Sequence, residues 1–165
     1  MIGTKFYKPV KTEEECAAYN VAVDWCNSTQ QGYIEDKGEY YEVVAIPEPS
    51  LAEIKTNKLA ELKSIRDTQE VADIQVNGYL YDYDEKARER INAAIIALDL
   101  TGGTITWTLA DNTDKEVSAN DLRYVIAMVA QRSNVLHVKY RTLKERVENA
   151  TTKEQVEAIS WAEEQ

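Results

Sequence analysis

Residues 73–100 read DIQVNGYLYDYDEKARERINAAIIALDL, the pattern of a tight β-hairpin running straight into an amphipathic helix. Asn77-Gly78 lies between two short runs of alternating apolar residues. That pair predicts a two-residue type I′ turn, because both central residues of such a turn need positive φ. The second run, Tyr79 to Tyr81, ends at Asp82. Asp82 is the expected N-cap of the following helix, and Glu85 three residues on gives a capping-box-like pattern. Ala87, Ile91, Ala94, Ile95 and Leu98 then fall on one stripe of a 3.6-residue period. Gly102 and Gly103 end the helix.

Downstream, Thr104 to Leu109 sets Ile105, Trp107 and Leu109 against three threonines, the alternation of a strand with one wet face. Ala110 to Asp114 is a polar turn, and Lys115 to Val117 a return strand. Ser118, with Asp121 three residues on, opens the longest helix. There Leu122, Ile126, Val129, Ser133, Leu136, Tyr140, Leu143, Val147 and Ala150 alternate spacings of four and three. This seam serves either the internal core or a subunit contact, and a break near Ser133-Asn134 would make it two helices. Thr151 or Thr152 caps a closing helix anchored by Val156, Ile159 and Trp161.

Upstream, Ser50 and Glu53 start a helix that runs to about Gln69 with a narrow stripe of Leu51, Ile54, Leu62 and Ile65. Near-balanced charge and that narrow stripe fit a connector or coiled-coil arm as well as a packed surface helix. Before Pro47 and Pro49 lies a small unit. Lys5 to Val10 is a strand, Thr12 and Glu15 cap a helix with Ala18, Val21, Ala22 and Trp25 on its stripe, and Tyr33-Ile34 with Tyr40 to Ile46 form a second hairpin. Such a β-α-β-β unit is marginal alone and is expected to rest on a partner surface. The chain therefore divides into an N-terminal α+β unit (1–49), a connector helix (50–70) and a C-terminal α+β domain (71–165). The fold class is α+β, with short antiparallel hairpins packed on long helices.

Composition narrows the function. The 165 residues carry a net charge of −10, about half on residues 1–50 and half on 71–165, which disfavours nucleic acid and anionic membrane as partners. No run approaches the ~20 apolar residues of a membrane span, and MIGTKFYKPV lacks the apolar centre of a signal peptide. A cytoplasmic protein with reduced cysteines is expected. Cys16 and Cys26 lie on one helix about 15 Å apart, too far to pair.

Chemistry is scarce. His137 is the single histidine, so no zinc or di-iron spacing exists and no metal or cofactor is expected. There is no Walker loop, GxGxxG or nucleophile elbow. Asp82, Asp84 and Glu85 beside Tyr81 and Tyr83 are the one acidic cluster next to aromatics. Carboxylates in a first helical turn are stabilised by the dipole and free N–H groups, so capping is the expected role and acid–base or cation chemistry the alternative. The basic run Lys139, Arg141, Lys144 and Arg146 suits a helix C-terminus. Ten tyrosines either fill half-buried sheet faces or serve recognition; Tyr33, Tyr40, Tyr41, Tyr79 and Tyr81 are the candidates for partner binding.

Several stretches together point to a family. They are a charged helix ending in Arg66-Asp67, the hairpin with Gly78, Tyr81, Asp82 and Asp84, and a strand with Trp107. Ser118-Ala119-Asn120-Asp121-Leu122, Tyr140-Arg141-Thr142-Leu143-Lys144 and the terminal ENATTKEQVEAISW follow. From about Leu59 to Trp161 the chain resembles a domain of unknown function found in bacteriophage tail-fibre and tail-fibre-assembly proteins, and PEPSLAEIKTNKLAELK looks like its joint to variable N-terminal pieces. Asn77, Gly78, Asp82, Trp107, Ser118 and Trp161 are its structural positions. The resemblance implies a non-enzymatic tail protein or assembly factor, made in the host cytoplasm and either kept in the virion tail or not. It implies a tail or fibre protein as partner, and a homo-oligomer, a trimer by preference. A receptor-contacting tail-tip module is the first alternative, and a carbohydrate-active enzyme using Asp82, Asp84 and Glu85 the second.

Overall fold

Four helices of this chain begin in the same way. Thr12, Ser50, Ser118 and Thr152 each accept the N–H three residues on, while the side chains of Glu15, Glu53, Asp121 and Gln155 reach back to the cap N–H. These reciprocal bonds satisfy donors that a helix start leaves orphaned. They set the frame of the computed structural model, which describes residues 1–162. The fold is α+β, and every strand pairing in it is antiparallel.

Residues 1–49 form one unit: β1 (Lys5–Tyr7), α1 (Glu13–Thr29), β2 (Gly32–Asp36) and β3 (Tyr40–Ala45). The sheet order is β1-β3-β2. Phe6, Ile34 and Val43 point to one side and close on Ala22, Trp25 and Cys26 of α1. Val21, expected on the buried stripe of α1, is 56% exposed. The buried line passes through Ala22 and Cys26 instead, because the helix rolls to bring Trp25 over the sheet. At Gly32 the helix approaches closely: a β-carbon there would stand 2.7 Å from the carbonyl oxygen of Val44 and 3.1 Å from the Trp25 ring.

The second unit runs from Ser50 onward. It comprises α2 (Leu51–Glu70), the hairpin β4 (Ile74–Val76) and β5 (Tyr79–Tyr81), α3 (Glu85–Thr101), the hairpin β6 (Ile105–Thr108) and β7 (Asp114–Val117), α4 (Ala119–Asn149) and α5 (Lys153–Glu157). Asn77 and Gly78 hold φ of 52° and 83°, the positive values an I′ turn requires. Thr104 and Thr106 donate to Glu116 at 2.9 and 2.5 Å on the wet face of the second hairpin. The Ala110 N–H, donating to the Leu80 carbonyl at 3.0 Å, stitches the two hairpins together.

The long helix α4 is unbroken at Ser133-Asn134, and its seam is consumed inside the unit. Its N-terminal half buries Leu122, Val125 and Val129 against both hairpins and α3. Its C-terminal half buries Leu143 and Val147 against Leu62 of α2, Val156 of α5 and Ile159 just past α5. Of the two roles open to that seam, the internal one is filled: Leu122, Val129, Leu136, Leu143 and Val147 are buried within the chain. Likewise α2 is no detached connector: it packs lengthwise on α4, with Leu62 fully buried.

Gly32→Ala tests the close approach in the first unit. The added methyl has to displace β3 backbone rather than a flexible side-chain end, at a cost of about 1–3 kcal/mol in thermal unfolding. Unchanged stability would show that the Val44 carbonyl and the Trp25 ring can both give way to it.

Candidate functional site

The three-stranded sheet of the first unit is covered by α1 on one side only. Because Tyr7 pairs with Tyr40 and Tyr33 with Val44, these four side chains share the opposite, outward side. Tyr7 is 67% and Tyr33 45% exposed, and the Tyr7 and Tyr40 rings are 5.6 Å apart. Lys5 lies over the Tyr40 ring at 4.5 Å, and Lys37 pairs with Glu35 at 2.7 Å on the same side. The result is an aromatic face rimmed by charges of both signs.

Neighbouring residues of a strand point to opposite sides, so Tyr40 and Tyr41 do not share a surface. Tyr41 turns inward, its ring 5.4 Å from Tyr19 and 4.2 Å below the Lys8 ammonium. Lys8 also bonds Asp36 at 2.5 Å, and together with the Gly38 N–H it holds the Asp36 carboxyl below the usual range. Tyr7, which sequence reasoning passed over, joins Tyr33 and Tyr40. Only the register opposite Tyr40 reveals it.

On the second unit Tyr79 and Tyr81 separate as well. Tyr81 is 1% exposed, a core residue rather than a partner contact, with its hydroxyl accepting from Lys115 at 3.3 Å. It is buried because β5 closes over α3 and α4. Tyr79 is 43% exposed, and the Lys115 ammonium lies 3.8 Å from its ring centre. Trp107 is buried with the Arg90 guanidinium 4.8 Å above it, and Trp161 donates to Gln69 at 3.1 Å. His137 faces Glu70 at 3.3 Å, beside Ser133, which donates to the same carboxylate at 3.0 Å. Ser118 caps α4, as its spacing predicts.

The acidic cluster resolves differently from the expectation. Asp84, not Asp82, is the N-cap of α3: its Oδ1 accepts from the Ala87 N–H at 2.7 Å, and helix begins at Glu85. The chain needs Asp82 and Tyr83 to leave the strand and bury the Tyr83 ring before it can coil. Glu85 lies in the first turn rather than at the third position of a box. Open grooves lie elsewhere, one of about 570 Å³ between α4 and α5 and one of about 650 Å³ bounded by α2, α4 and Trp161. Among the described residues, no three His, Cys, Asp or Glu side chains gather as a metal would need, and no helix is long and apolar enough to cross a membrane.

Two hairpins closed by a helix pair, with a long capped helix shared between two cores, define the second unit as an α+β helix–hairpin domain. The family model described as a domain of unknown function, DUF4376, matches residues 53–160. The chain belongs to that family. Searches of curated proteins and of solved structures returned no match.

Asp84→Ala is expected to cost about 1 kcal/mol through the lost cap, and Asp82→Ala clearly less. Equal effects on thermal unfolding would return the cap to Asp82. A pH series checks the boxes. The Thr12 and Lys11 N–H groups hold Glu15 below the usual carboxylate range, the Ser50 hydroxyl and N–H do so for Glu53, and the Ser118 hydroxyl and N–H for Asp121. A depressed folded pKa stabilises above the unfolded value and is lost as pH falls through the folded one. The melting midpoint should therefore drop as pH is lowered through and below that range. Glu53→Gln, which keeps the box without the charge, should flatten the slope.

Proposed function

We propose that this chain is a non-enzymatic bacteriophage tail-fibre protein or tail-fibre assembly factor that works by binding another tail protein. The observation that carries the reading is the one-sided sheet of residues 1–49, which leaves Tyr7, Tyr33 and Tyr40 outward beside a mixed-charge rim. Tyrosine supplies large, rigid contact area at little entropic cost, and such anchors in a desolvated centre carry most of an interface's energy. Covering this face would also stabilise a unit whose own core is small. The tail assignment itself rests on the resemblance of residues 59–161 to a domain of tail-fibre and tail-fibre-assembly proteins; the matched family is described as a domain of unknown function. In this reading the protein is made and works in the host cytoplasm, and a structural role would carry it into the virion tail.

Co-expression with the tail-fibre protein of the same phage tests this. The full-length chain should co-purify with the fibre, and Tyr33→Ala or Tyr40→Ala should each weaken the complex by about 1–2 kcal/mol in titration calorimetry. Tyr79→Ala should leave it unchanged. If Tyr79→Ala alone weakens binding, the docking surface belongs to the C-terminal hairpin. If no tail protein binds, the assembly role falls.

A further inference from the structure

Helix α4 has a second line of heptad-spaced positions on the side away from both cores. Tyr124, Ala127, Gln131, Asn134, Val138 and Arg141 alternate spacings of three and four, and all six are exposed. From Tyr124 to Val138 this line carries no charge, in a chain whose residues are 29% charged. Beside it Val135 is 62% exposed, and the half-buried Met128 lies one heptad before it on the same flank.

We propose that this outer line pairs two copies of the chain as an antiparallel two-helix coiled coil. With the two-fold axis between Arg132 and Ser133, every layer finds a suitable partner. Tyr124 meets Arg141 of the second copy, an aromatic face under a guanidinium. Ala127 meets Val138, small against β-branched. Gln131 meets Asn134, two amides able to exchange hydrogen bonds. Symmetry repeats each layer, and Met128 against Val135 adds an apolar flank. The same register brings Arg123 and Lys144 to one side, but each is already paired within its chain, with Asp99 and with Glu148.

Other registers lose these matches. Moving one heptad places Gln131 on Arg141 and Val138 on Asn134, or Tyr124 on Asn134 and Gln131 on Ala127. A parallel pair sets Arg141 against its own copy, a like-charge clash. The matched stretch spans about 27 Å at 1.5 Å per residue, enough to bury a few hundred Å² on each copy. That size belongs with weak, reversible association rather than an obligate dimer.

Light scattering on the full-length chain during gel filtration tests the pairing, with no tail protein present. From micromolar to hundreds of micromolar, the mass should rise from 18.7 kDa toward twice that value. Val138→Lys and Ala127→Glu should each weaken association at least about tenfold. The double variant should regain it, since the two new charges meet each other in the antiparallel register and meet like charges in a parallel one. In a Cys16→Ser background, oxidised Gln131→Cys/Asn134→Cys should yield links between positions 131 and 134 of different chains in peptide mapping. A monomer throughout, a three-chain mass, a double variant weaker than both singles, or links from 131 to 131 would each overturn the proposal.

Discussion

Arg132 stands where the two cores of the C-terminal unit meet. Its two terminal nitrogens donate to the carbonyl oxygens of Glu70, the last residue of α2, and of Ala72 and Asp73 just past it. The same guanidinium lies 5.8 Å from the Tyr83 ring centre. One side chain on α4 thus closes the end of one helix, fixes the exit into β4 and bears on the segment entering α3. The cost is visible too, since its Nε is buried with no hydrogen-bond partner. Lysine has one point charge and no planar fork, and it would hold fewer of these carbonyls at once. Ser133 and His137, both directed at Glu70, extend the clasp along the same helix.

The two units solve the problem of burial in different ways. In the C-terminal unit, strands come as isolated hairpins, each closed on its apolar side by helix, so Ile74, Tyr81 and Val117 all reach one core. The N-terminal sheet has a single helix on a single side, and its aromatic residues split accordingly. Phe6 and Tyr41 go with α1, and Tyr7, Tyr33 and Tyr40 go to the other side. That side of the sheet keeps apolar ring area in water, which the helix-covered side does not.

Much of the architecture was legible, and the legible parts share a cause. The Asn77-Gly78 turn, the three capping boxes at Thr12, Ser50 and Ser118 and the alternation of Ile105, Trp107 and Leu109 are local: each depends on a few consecutive residues and on backbone geometry. What escaped depends on distant partners. Whether Tyr40 or Tyr41 faces outward follows from where α1 packs, and the cap moved from Asp82 to Asp84 because Tyr83 is drawn into a core that the local sequence does not contain. A heptad line tells that a helix has a partner without telling which one. Here the obvious line met the protein's own hairpins, α2 and α5. Arg132 was silent for the same reason, since its acceptors lie some sixty residues away along the chain.

The 31-residue α4 belongs to both cores at once. Such a shared rod makes the two cores one cooperative unit, because neither can melt without removing the wall of the other. The closing helix α5 is the exception. Five residues long, it is held by Val156 and by Ile159 just beyond its end, and lifting it breaks no bond of the α4 ladder. Amide protons there should exchange through local openings far cheaper than global unfolding, while those in the middle of α4 wait for the whole unit. Each such opening bares Leu143 and Val147 for a moment. Within this unit, α5 is therefore the place where a protease or a chaperone can reach apolar chain without global unfolding.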